Sequence, residues 1–136
     1  MKHNYKGRLN VKSTEEINKI EKACRIVADT LQLLEKYVVA GISTLELDSI
    51  AEDYIKSKNA IPAFKGFKSD NLVFPNTLCI SIDEEVVHGI PSKSRILNEG
   101  QIVSIDCGCS IEGYYGDSAV TYAVGKVSDE KMRLWK

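Results

Sequence analysis

The feature that most constrains this chain is a hairpin. Residues 101–111 and 114–124 are two runs of strand-forming residues on either side of Glu112-Gly113, a dipeptide that suits a tight two-residue turn. Such a turn pairs Ile111 with Tyr114, Gly108 with Asp117 and Asp106 with Ala119. Val103, Ile105, Cys107, Cys109 and Ile111 then share one apolar face, and Asp106 stands on the other. Asp106 and Asp117 become diagonal neighbours on that second face, about 7–8 Å apart at the backbone. Two carboxylates so placed repel, and one is driven to take up a proton unless a divalent cation lies between them. The same pattern also admits Asp117, directly after Gly116, as a strand-end residue bonded to backbone, because structural aspartates are common near turns.

Helices come before the hairpin. Ser13 with Glu16 forms a capping-box signature, followed by Ile17, Ile20, Cys24, Val27, Leu31 and Leu34 as a predicted buried stripe that Gly41 ends;. Ser43 with Glu46 opens a second helix with Leu47, Ile50, Ala51, Tyr54 and Ile55 on its inner face;. The short loop between them predicts a helical hairpin. From Ala60 the period breaks: Pro62, Gly66, the Lys68-Ser69-Asp70-Asn71 cluster and Pro75 predict loop and short extended pieces;. Residues 78–82 and 85–88 read as strands joined by a turn at Asp83-Glu84, with Pro91 ending the second;. Ser128-Asp129-Glu130 begins a last helix that the C-terminus cuts short. Helices first and an antiparallel sheet after predict an α+β domain.

Charge and cysteine usage narrow the function classes. With 18 Lys+Arg against 19 Asp+Glu there is no basic footprint for a phosphate backbone, so nucleic acid is not an expected partner;. No apolar run approaches bilayer length, and the polar, basic start of the chain does not read as a secretory signal;. Cys24, Cys79, Cys107 and Cys109 lack CxxC spacing and are expected to be free buried thiols in a reducing cytoplasm;.

His88 closes an apolar run just before Gly89-Ile90-Pro91, a place from which an imidazole can face a cleft, although a lone histidine is more often structural;. Cys107 and Cys109 read as core packing. Phe64, Phe67 and Phe74, set among glycine and proline, fit either an apolar pocket or a plug for the loop.

Five segments together resemble type I methionine aminopeptidases. They are Glu85-Val86-Val87-His88-Gly89-Ile90-Pro91, residues 99–108 ending in Ser104-Ile105-Asp106-Cys107-Gly108, Gly113-Tyr114-Tyr115-Gly116-Asp117-Ser118-Ala119, residues 40–48, and Pro62-Ala63-Phe64-Lys65-Gly66;. The similarity runs from about Ser13 to the last residue. It implies the N-terminal half, residues 13–136, of a pita-bread fold of the creatinase/aminopeptidase kind, with a helical hairpin packed on an antiparallel sheet. Residues 1–12 form a polar extension before it.

The resemblance also implies a metal-dependent enzyme that removes the initiator methionine from nascent polypeptides at a dinuclear site of cobalt, manganese, iron or zinc. Asp106 and Asp117 match two metal-binding aspartates, and His88 matches a histidine that contacts the substrate or transition state. Cys79, Phe74 and Phe67 match the pocket for the methionine side chain. The chain departs from the family pattern at Lys68–Val73, which is longer than usual and alters the pocket rim at Phe67. One histidine and two glutamates of the ligand set, and a second catalytic histidine, are absent, and His3 is the only other histidine here. The chain alone is therefore expected to be inactive, with a complementary C-terminal half or self-association as the expected partner. The alternative is a binding or regulatory module that retains the half-fold without catalysis.

Overall fold

The computed structural model describes residues 9–135; the basic start of the chain and His3 lie outside the described residues. The elements run α1 (Thr14–Glu35), α2 (Thr44–Ser57), β1 (Ile61–Pro62), β2 (Lys68–Ser69), β3 (Leu72–Val73), β4 (Leu78–Ile82), β5 (Ile102–Ile111), β6 (Tyr114–Ala123) and α3 (Asp129–Trp135). Both helix starts carry the predicted capping boxes. Glu16 N–H donates to Ser13 Oγ at 3.2 Å and Ser13 N–H to Glu16 Oε2 at 2.7 Å, with 3.1 and 2.8 Å for the Ser43–Glu46 pair. These bonds satisfy amides that have no partner inside the helix.

β5 is the centre of the main sheet. β6 pairs along its whole length on one side, while β4 and β1 share the other side, all antiparallel. Glu112 (φ 50°) and Gly113 (φ 81°) make the two-residue turn, and the register is the predicted one: Ile111 opposite Tyr114, Gly108 opposite Asp117, Asp106 opposite Ala119. α1 and α2 cover the apolar face of the sheet, where Leu34, Leu47, Ile55, Leu78, Ile80 and Ile105 are fully buried in one core. At Gly116 the contact is backbone to backbone. A Cβ there would lie 2.6 Å from Cys24 N and 2.7 Å from Ala23 C. Among the described residues no helix is long and apolar enough to cross a membrane.

Four expectations need correction. Residues 85–88 are not a strand: they form an exposed loop in which Val86 is 85% accessible. Asp83 turns at φ 49°, Glu85 N–H bonds back to Ile82 O at 3.1 Å, and among the described residues no strand pairs with this segment. The α1 stripe is rotated from the predicted one, since Ala23, Ile26 and Thr30 are buried whereas Ile17 is 53% exposed and Cys24 is exposed. Cys24 is therefore not a buried thiol: α1 meets the sheet through its backbone at Gly116, and that approach turns small Ala23 inward. Gly41 does not end α1, which stops at Glu35 so that Val38 can fold into the core; Gly41 instead donates to Leu97 O at 2.9 Å. The long Lys68–Val73 segment is a small β2–β3 hairpin turning at Asp70 (φ 52°) and Asn71.

Candidate metal centre

The sheet presents its candidate site on the face away from α1 and α2. Strand alternation puts Asp106 of β5 and Cys79 of β4 directly opposite each other on that face, with Asp117 of β6 diagonal to Asp106;. Gly108, the residue opposite Asp117, leaves room that the Phe64 ring fills, at 2.9 Å from where a Cβ would stand. The same face carries Ser81, Ser104 and Thr121, the last two joined by a 2.8 Å hydroxyl hydrogen bond.

The two carboxylates interact with one another. Burial first, and then the neighbouring Asp117 carboxyl with its charge, push the Asp106 carboxyl up to about 6;. Its Oδ1 atom is buried and has no hydrogen-bond partner among the described residues. A buried carboxylate oxygen facing a second carboxylate is the arrangement that a divalent cation relieves. The donors present are hard oxygens, which suit such an ion. Among the described residues no group of three His, Cys, Asp or Glu side chains is arranged around a single point, so the site offers a pair of carboxylates rather than a closed shell.

Cys79 stands beside this pair but in a different chemical state. Burial, reinforced by the charges of Asp106 and Asp117, raises its thiol to about 11, so at neutral pH it is a protonated, apolar lining group. Phe74 is half-buried and Phe67 exposed; they close the base of the β2–β3 hairpin, where Phe74 N–H donates to Phe67 O at 2.9 Å. His88 lies exposed in the loop after β4 at φ 62°. The next residue returns to the sheet: Gly89 N–H donates to Ser81 Oγ at 3.2 Å. The structure thus gathers Asp106, Asp117 and Cys79 on one face, sets Phe67 and Phe74 together on the neighbouring hairpin, and leaves His88 on a loop with no hydrogen bond to either carboxylate.

Two supporting residues escape a reading of the sequence. Asp48 of α2 is only 3% exposed; it accepts from Leu78 N–H at 2.7 Å and from Asn76 Nδ2 at 3.0 Å, so it fixes the entry to β4 one residue before Cys79. Its burial raises its carboxyl above the ordinary value. The available signal is an acidic residue interrupting the apolar stripe of α2. Arg95 is the other, and it reaches the His88 loop.

The chain has counterparts among known proteins. A methionine aminopeptidase of Clostridium acetobutylicum is 49% identical over 126 residues, which are 93% of this chain and 49% of the relative. The solved structure of a methionine aminopeptidase from Thermotoga maritima matches with a TM-score of 0.88 at 36% identity, over 93% of this chain and 49% of that one. A prolidase from Pyrococcus furiosus, 23% identical, shares the fold with a TM-score of 0.73 over 90% of this chain and 34% of its own. The chain spans about half the length of the methionine aminopeptidases it matches, and the half it spans has the pita-bread architecture of helical hairpin on antiparallel sheet. Residues 18–136 match the model of metallopeptidase family M24, and with its paired carboxylates on the open face of that sheet the chain belongs to this family.

Proposed function

We propose that residues 13–136 form the N-terminal half of a pita-bread domain that removes the initiator methionine from nascent polypeptides in the cytoplasm. Membership of a metallopeptidase family implies a divalent metal. The observation that carries the reading is the Asp106–Asp117 pair, with its unpartnered buried oxygen, in a chain so similar to methionine aminopeptidases. Asp106 and Asp117 would hold the ion, which supplies Lewis acidity for peptide hydrolysis. The oxygen donors suit manganese, iron, cobalt or zinc, and the dinuclear arrangement is part of the proposal.

The remaining side chains bind and orient. The protonated Cys79 thiol and the rings of Phe74 and Phe67 offer a soft apolar lining for a thioether side chain;. His88 would contact the substrate, where an imidazole nitrogen can donate a hydrogen bond to a carbonyl. Two carboxylates are fewer than the roughly four to eight donors that divalent cations take. Tight binding and turnover then require a complementary C-terminal half, or a second copy of this chain on the open face.

Calorimetric titration of manganese into the chain tests the metal reading. Weak binding is expected in the wild type and none in Asp106→Asn, with no methionine released from a methionyl peptide by either protein. Equal heats from the two proteins would refute the site. Methionine release that survives purification and vanishes in Asp117→Ala would refute the need for a partner.

A further inference from the structure

We propose that Arg95 is a positioning residue, clamping the loop that presents His88 against the outer edge of β4. The inference rests on the proposed role of His88 facing the substrate. Among the described residues β4 pairs with a strand, β5, on one side only, and on its other edge Ile80 and Ile82 turn four backbone groups outward;. Each of the four is met. Ile80 N–H donates to Gly89 O at 2.9 Å, and Ile82 O accepts from Glu85 N–H at 3.1 Å. Ile82 N–H donates to Glu85 Oε1 at 3.3 Å, and Ile80 O accepts from an Arg95 guanidinium nitrogen at 3.4 Å.

Arg95 does more than seal this edge. Its second terminal nitrogen pairs with Glu85 on the outgoing limb of the loop, and the first also reaches Ile90 O on the returning limb at 3.5 Å. One planar fork therefore ties the strand edge to both limbs, a geometry that a lysine's point charge cannot reproduce. The clamp has a firm root: Thr44 N–H, at the start of α2, donates to Arg95 O at 2.8 Å. A second brace holds the turn into the loop, where Lys131 Nζ lies 2.9 Å from Asp83 Oδ1 and 2.7 Å from Gly100 O.

His88 sits between the two clamped limbs in the left-handed region, at φ 62°. A non-glycine residue keeps that conformation only where its surroundings over-determine it. Gly89 leaves no slack behind it, since a Cβ there would stand 1.8 Å from Ile80 O. With Gly89 hard against β4 and the guanidinium across both limbs, the exposed imidazole is held out from the sheet in one backbone conformation.

Solution NMR on the full chain, without metal or substrate, tests this. Arg95→Met is expected to speed hydrogen exchange at the Ile80 amide at least tenfold, while amides of β5 and β6 stay within twofold of wild type. The strong intraresidue amide-to-Hα Overhauser peak that a positive φ produces at His88 should fade, and its ring resonances should move towards those of an unstructured peptide. Arg95→Lys should fall between the two proteins, and it serves as the readable variant if Arg95→Met does not fold. An unchanged His88 signature, or a loss of protection spread evenly over the whole domain, would overturn the proposal. Failure of the metallopeptidase reading appears separately, in the manganese titration, which these measurements do not use.

Discussion

Replacing Asp106 by Asn should make the protein more stable in chelator while removing the proposed metal binding. The Asp106 carboxyl stands at about 6 instead of the ordinary 3.8, so the folded protein holds this proton more tightly than the unfolded chain does. The stability from this group is fully present below pH 3.8 and is lost as pH rises through about 6;. At pH 7 the folded state carries the burial of a charged carboxylate and, beyond that, its repulsion with Asp117. A displacement of that size corresponds to about 3 kcal/mol at most. Asp106 is itself only half-buried and Asp117 is exposed, so solvent screening reduces this to about 1 kcal/mol, or about 3 °C in Tm for a domain of this length. Urea unfolding followed by circular dichroism, in chelator, measures the difference directly. Asp106→Asn should gain about 1 kcal/mol at pH 7, and the gain should shrink towards zero near pH 4, where the wild type is itself protonated. Excess manganese should reverse the order, because binding to the folded state stabilises only the protein that keeps both carboxylates. A variant less stable than wild type at pH 7, or one whose advantage does not depend on pH, would refute the argument.

Two further outcomes follow from the turn and the thiols. Glu112 occupies a left-handed position that asparagine adopts more readily;, so Glu112→Asn should raise stability by about 0.5–1 kcal/mol in the same urea assay. Burial raises the thiols of Cys79 and Cys109 to about 11 and that of Cys107 higher still, so a disulfide-exchange reagent at pH 8 should label exposed Cys24 first, with the other three reacting only on unfolding, as intact-mass spectrometry would record;.

The hairpin with its two aspartates is legible because two simple rules meet there. Side chains alternate with a period of two, and a two-residue turn leaves a single register, so Gly108 opposite Asp117 and Asp106 opposite Ala119 follow without knowledge of the rest of the fold. Capping boxes are legible for the same reason, as each is closed within four residues. The His88 loop is not. Val86 and Val87 are as suited to a strand as to a segment pinned at both ends, and the pins, Gly89 on Ile80 and Arg95 on Glu85, are tertiary contacts;. Asp48 is hidden in the same way, because its partners at Asn76 and Leu78 lie 28 and 30 residues away. The α1 stripe misleads by one residue, since Ala23 and Cys24 are both small and apolar, and only the approach of Gly116 decides which of them turns inward.

That approach sets a dimensional reference for the site. Elsewhere in the core the gap between helix and sheet is filled by side chains, and it can drift as their volumes change. Where Gly116 meets Cys24 N and Ala23 C the gap holds no side chain at all, so the spacing is a property of two backbones. Substitutions along α1 change what projects from the helix, but not the radius of its peptide spine. The next residue in the chain is Asp117. Its elevation above the helix layer is therefore gauged by a contact between two backbones.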